Sequence, residues 1–108
     1  MTLAELKNIL TSIPGFANKV AYRAFPKGKA PKLPFICYLC TNTNNFDADN
    51  AVYHVSQGVD IELYTKMKDT SSERAVETAL NNAHIVWEKY EEYIDDEECY
   101  QIIYEVEV

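Results

Sequence analysis

Val59, Ile61 and Leu63 alternate with Asp60, Glu62 and Tyr64, and Tyr100, Ile102, Tyr104, Val106 and Val108 alternate with Gln101, Ile103, Glu105 and Glu107. Side chains of a strand point to opposite faces in turn, so this period of two predicts half-buried strands with one wet face. The dry face needs a cover, and two stretches of helical period provide candidates. Thr2-Leu3-Ala4-Glu5 has the form of a capping box, with Thr2 as N-cap and Glu5 reaching back to its backbone N–H. Leu3, Leu6, Ile9, Leu10 and Ile13 follow at helical spacing, and Pro14-Gly15 ends the helix near Ser12. A second helix opens in Asp69–Glu73, where Thr70 and Glu73 stand in capping-box register. Its buried stripe is Ala75, Val76, Ala79, Leu80 and Ala83, and Asn81-Asn82 terminate it.

The remaining strands are less regular. Val20–Phe25 reads as a short strand, and Phe35-Ile36-Cys37-Tyr38-Leu39-Cys40 as a continuous apolar strand covered on both faces. Between them the three prolines of 26–34 remove donors and fix φ, which leaves an exposed, semi-rigid, basic loop. Thr41–Asn50 is rich in Asn and Asp and is expected to turn. Ala51–Lys66 is a long extended segment in which Gly58 marks a candidate bulge. Ile85–Ile94 and Tyr100–Val108 form a hairpin with the acidic tip Asp95-Asp96-Glu97-Glu98. The predicted order is α-β-β-β-α-β-β, without repeat or linker. Residues 1–108 thus read as a single α+β domain, two helices packed on one face of a mostly antiparallel sheet of about five strands.

With 47% hydrophobic and 25% charged residues in 108, the composition is that of a globular domain and excludes intrinsic disorder. The apolar runs fall far short of the ~20 residues of a membrane span. The first residues lack the pattern of a secretory leader. A soluble, cytoplasmic protein is expected.

Charge divides unevenly along the chain. Residues 1–46 carry six cations (Lys7, Lys19, Arg23, Lys27, Lys29, Lys32) and one acid, a balance of +5. The remainder carries four cations and sixteen acids, a balance of −12, which brings the whole to −7. Such an acidic chain does not favour general nucleic-acid binding, which depends on neutralising phosphates. The basic cluster at Lys19–Lys32 is open to three readings: a local phosphate contact, a solvated loop, or a surface that meets an acidic surface on another copy. Unlike surfaces of that kind pair heterologously and close into rings or run on as filaments.

Catalytic and metal signatures are absent. Cys37-Tyr38-Leu39-Cys40 has redox spacing, but in a strand an interval of three puts the two sulfurs on opposite faces. The three cysteines read as small buried hydrophobes. His54 and His84 have no Cys or His beside them at zinc spacing and read as structural or solvated. Asp47-Ala48-Asp49-Asn50 begins like a calcium loop, but Val52 and Gly58 occupy the positions that need Gly and Glu. The Glu91–Glu98 cluster is either a weak site for a hard cation or, the better reading, a charge-protected hairpin. No G-x-S-x-G, GxGxxG or Walker A pattern occurs. Neither an enzyme nor a cofactor is expected.

Ala21-Tyr22-Arg23-Ala24-Phe25-Pro26, then Ala30–Tyr38, Asn45–Tyr53, Glu62-Leu63-Tyr64-Thr65-Lys66, Glu91-Glu92-Tyr93-Ile94 and Tyr104–Val108 together give the chain a distinctive pattern. In this order they resemble small proteins encoded in the tail and head–tail joining region of long-tailed phages and prophages of Gram-positive hosts. The element order also looks like that of the tail terminator, or tail completion, proteins. The resemblance implies a non-enzymatic structural subunit of a head-to-tail ring, with a hexamer favoured, at the head-proximal end of the tail tube. Its partners would be tail-tube and head-connector proteins, and its places the host cytoplasm during assembly and then the virion tail. A different connector component or a tail-assembly chaperone is the alternative, followed by a small regulatory ligand-binding module. On this reading Arg23, Lys27, Lys29 and Lys32 of one subunit face Asp60 and Glu62, or the Asp95, Asp96, Glu97, Glu98 tip, of the next subunit or the tube. Phe46, Tyr53 and Tyr64 are then the apolar anchors.

Overall fold

A computed structural model describes residues 1–48 and 51–108, with the side chains of 1–42 and 57–108. Helix α1 (Leu3–Thr11) begins at the expected capping box: Thr2 Oγ1 accepts from Glu5 N, and Glu5 Oε1 accepts from Thr2 N, both at 3.1 Å. Leu6 and Leu10 leave no surface exposed. After Ser12 the chain turns at Gly15, whose φ of +89° suits glycine, and tucks Ile13 and Phe16 under the helix.

Strand β1 (Val20–Tyr22) runs parallel to β2 (Phe35–Ala48), and β2 pairs antiparallel with β3 (Ala51–Thr65). Helix α2 (Thr70–Asn82) leads to β4 (Trp87–Ile94), and the Asp95–Glu98 turn leads to β5 (Cys99–Glu107). The sheet order is β1-β2-β3-β5-β4, so the last strand lies between β3 and β4 and is antiparallel to both. This is the α+β architecture predicted, with both helices on one face. Leu6, Leu10, Val76 and Leu80 pack there against Ile36, Ile61, Leu63, Ile102 and Tyr104, all buried.

Several local expectations change. The first strand stops at Tyr22 rather than Phe25, because Arg23 takes a φ of +66° and Ala24 N folds back to Tyr22 O at 2.8 Å. The Asn/Asp-rich stretch expected to turn from Thr41 instead continues β2 to Ala48, paired with Ala51 of β3. Ladder hydrogen bonds there outweigh the turn preference of single side chains. The register shift falls between Cys40 and Asn42, across from Gly58. A Cβ on Gly58 would collide with Asn42 Oδ1 and stand 2.7 Å from Thr41 Oγ1, so the glycine permits the bulge on its partner strand. The Phe35–Cys40 run is covered by helices on one face only: among the described residues no helix lies over Phe35, Cys37 and Leu39.

At α2 the N-cap is Asp69 rather than Thr70. Asp69 accepts from Ser72 N at 3.0 Å and from Ser72 Oγ at 2.7 Å. Glu73, expected to complete a capping box, points inward instead and is only 2% exposed. Lys89 Nζ lies 2.6 Å from its Oε1, and Lys68 Nζ 2.7 Å from its Oε2. The second contact lies off the line of a directed hydrogen bond and acts as an ion pair. Glu77 and Glu91 close the cluster through the same two lysines.

Candidate functional site

The alternation of β3 and β5 that buries one set of residues also sets the other on the uncovered face of the sheet. Asp60 stands directly opposite Glu105 on β5, and Glu105 directly opposite Glu88 on β4. Partners of this kind have Cβ atoms ~4.5–5.5 Å apart and face the same side. Three carboxylates therefore form a row across three strands. Glu62, two residues along β3, accepts a hydrogen bond from Tyr64 Oη at 3.0 Å, and Tyr64 Oη accepts from Gln101 Nε2 at 2.9 Å. Tyr90 Oη donates to Glu88 at 3.1 Å. Partial burial on the sheet raises the carboxyls of Asp60 and Glu62 above their ordinary values. For Glu62, the Tyr64 hydroxyl and the more distant Arg23 charge oppose that rise without cancelling it.

Apolar side chains interleave with these acids. Leu39 stands opposite Asp60 and Ile103 opposite Glu62, both half-buried, and Cys37 stands on the other side of Glu62 with its thiol pushed up to about 11 by burial. The row also borders an open hollow of about 950 Å³ at the end of the sheet, whose further walls include Val86, Trp87 and Val108. Val86 is 87% exposed there.

The basic loop lies at the other side of the sheet, beyond β1 and β2. Its base is fixed by an aromatic file, Phe25 on Phe35 and Phe35 on Tyr64, with ring centroids 5.2 Å apart in both pairs. A turn closed by Lys29 N to Pro26 O at 2.8 Å, with Gly28 at a φ of +76°, presents Lys27 and Lys29 outward. Arg23, Lys27, Lys29 and Lys32 are all exposed.

The structure thus brings Asp60, Glu62 and Tyr64 to one face and keeps Arg23, Lys27, Lys29 and Lys32 together at one edge. It does not bring the Asp95, Asp96, Glu97, Glu98 tip to either. Six residue steps along β4 separate Ile94, next to the tip, from Glu88, roughly 20 Å of strand. Phe46 and Tyr53 lie outside the described side chains. Glu88 and Glu105 were not singled out from the sequence, since only the strand order sets both beside Asp60. Among the described residues no group of three His, Cys, Asp or Glu side chains could hold a metal ion. The acids are a spread surface rather than a chelating centre.

Like charges directly opposite one another destabilise a sheet. Glu105→Gln, which relieves both contacts of the row, is therefore expected to stabilise the isolated chain by about 0.5–1 kcal/mol. Urea denaturation should show this as a higher midpoint with an unchanged slope.

Compared with protein-family models, with curated proteins and with solved structures, the chain matches none. No helix is long and apolar enough to cross a membrane among the described residues.

Proposed function

We propose that this chain is a non-enzymatic structural subunit of phage or prophage tail assembly, a tail terminator or tail completion protein that forms a ring at the head-proximal end of the tail tube. The observation that carries the reading is the element order α-β-β-β-α-β-β, which is the order the sequence resemblance leads one to expect. The two separated surfaces of opposite charge, one at the β1–β2 edge and one on the open face, also suit a subunit that meets unlike neighbours. Fold alone never fixes function, so the test must be a binding one.

Purified chain mixed with purified tail tubes and with filled heads should cap the tubes at one end and allow joining. Tubes that assemble in its absence should be longer and heterogeneous. The triple variant Lys27→Glu, Lys29→Glu, Lys32→Glu should lose joining while keeping its circular dichroism spectrum and melting temperature. Binding to the head connector alone, or to unassembled tail protein alone, would replace this reading with that of a connector component or a chaperone.

A further inference from the structure

The salt bridges seen between described residues gather in one place. Lys68 and Lys89 with Glu73, Glu77 and Glu91 account for the salt bridges among the described residues, and all lie between α2 and the helix-facing side of β4. Arg23, Lys27, Lys29 and Lys32 form none with any described carboxylate, and Asp60, Glu62, Glu88 and Glu105 form none with any described cation. A cationic loop on a fixed aromatic base stands at one edge of the sheet. A row of acids that forms no salt bridge with a described cation, beside a hollow with the exposed apolar side chain of Val86, stands towards the other edge.

We propose that the loop formed by residues 23–34 of one copy docks on the open sheet face of a second copy, its lysines over the Asp60–Glu105–Glu88 row. This deepens the assembly reading above and rests on it for self-association, but it commits to the surfaces that meet. The loop leaves the β1 edge of the sheet, whereas the row runs from the central β3 out to β4, two to four strand spacings or about 10–19 Å away at ~4.8 Å per strand. A copy that donates its loop on the β1 side therefore still offers its acid row on the β4 side, and the contact repeats head to tail. A two-fold pairing with its axis through the row would instead set one acid row against another, an unfavourable arrangement. Val86 and Trp87 in the hollow, with the exposed Pro26 and Ala30 in the loop, supply apolar contact beneath the charges.

The test uses two variants of the full chain, each studied by light scattering after size exclusion at about 0.05 M and about 0.5 M salt. One reverses the loop (Lys27→Glu, Lys29→Glu, Lys32→Glu) and the other the face (Glu88→Lys, Glu105→Lys), at side chains that are all exposed. The wild-type chain should form a discrete oligomer that weakens at high salt. Each variant alone should associate at least about tenfold more weakly while retaining its melting temperature. Mixed in equal amounts, the two should assemble again, because the acidic loop of one meets the basic face of the other and the native loop of the second meets the native face of the first.

Recovery on mixing, at the wild-type size, supports the docking. Variants that keep the wild-type oligomer overturn it while leaving self-association standing. A wild-type chain that remains monomeric at its highest soluble concentration overturns the docking and the ring together. Charge-dependent assembly without any affinity for tail tubes would leave the docking supported and overturn the tail reading. Should the reversed face fail to fold, Glu105→Gln alone must still weaken assembly, and an unchanged oligomer in that variant overturns the proposal.

Discussion

Replacing Lys68 and Lys89 together by methionine is expected to destabilise the fold by about 3–5 kcal/mol, the cost of leaving a buried carboxylate without its cations. Glu73 is only 2% exposed and has these two ammonium groups within 2.7 Å, so neither water nor another cation stands ready to replace them. Burial works to raise the Glu73 carboxyl, but the paired lysines outweigh it and hold the group below its ordinary value of 4.5. In the native chain the stabilisation is therefore present above that ordinary value and is lost as pH falls through the folded one. The double variant should behave in the opposite sense. Without the lysines burial dominates, the folded Glu73 value rises, and the variant gains stability on acidification from neutral pH down to about 4.5. Adding Glu73→Met to the double variant should recover most of the loss, because an apolar side chain suits the vacated site better than an unpaired charge. Urea denaturation of the three chains between pH 4 and pH 7 (about the working range of carboxylates) separates these outcomes.

A second large effect is expected at Tyr104. Its side chain is fully buried, meets Trp87 edge-on with ring centroids 5.5 Å apart, and donates its hydroxyl to Glu77 Oε2 at 2.7 Å. Tyr104→Ala removes the largest fully buried side chain of the core and should cost about 3–5 kcal/mol. Tyr104→Phe keeps the ring and loses the hydroxyl's bond to the charged Glu77, with its longer 3.3 Å contact to Glu73 O, a cost of about 1.5–3 kcal/mol. In a domain of this size each kilocalorie lowers the melting temperature by roughly 4–8 °C, so calorimetry distinguishes the two. An equal effect of the two substitutions would mean that the ring carries little of the stability and the Glu77 contact most of it.

How much of this was legible in the sequence depends on the range of the interaction. The capping box of α1, the half-buried alternation of β3 and β5, and the hairpin with its acidic turn are all local patterns and appear as expected. Glu73 was misread because capping-box spacing and an inward ion pair present the same local signal. Only Lys68 and Lys89, five residues before it and sixteen after it in the chain, decide between them. The Asn-rich stretch after Cys40 was misread for a related reason, since its strand character comes from pairing with β3 rather than from its own residues. Of the candidate surface, the basic loop, Asp60, Glu62 and Tyr64 were visible as sequence, whereas Glu88 and Glu105 join them only through the strand order. The Asp95–Glu98 tip, equally acidic, stands apart because no strand register brings it near the row.

The position of β5 also governs when the sheet can form during synthesis. β3 and β4 are not neighbours in the sheet order and are bridged by β5, the strand made after both of them. While residues 99–107 are still inside the ribosome, Val59, Ile61 and Leu63 lack the neighbours on one side that later protect them, and β4 has no strand to pair with. Helix α2 can form locally but cannot yet close over Ile102 and Tyr104. The nascent chain therefore carries an open β3 edge until residues 99–107 have emerged, and β3 and β4 join the native sheet in one step rather than strand by strand.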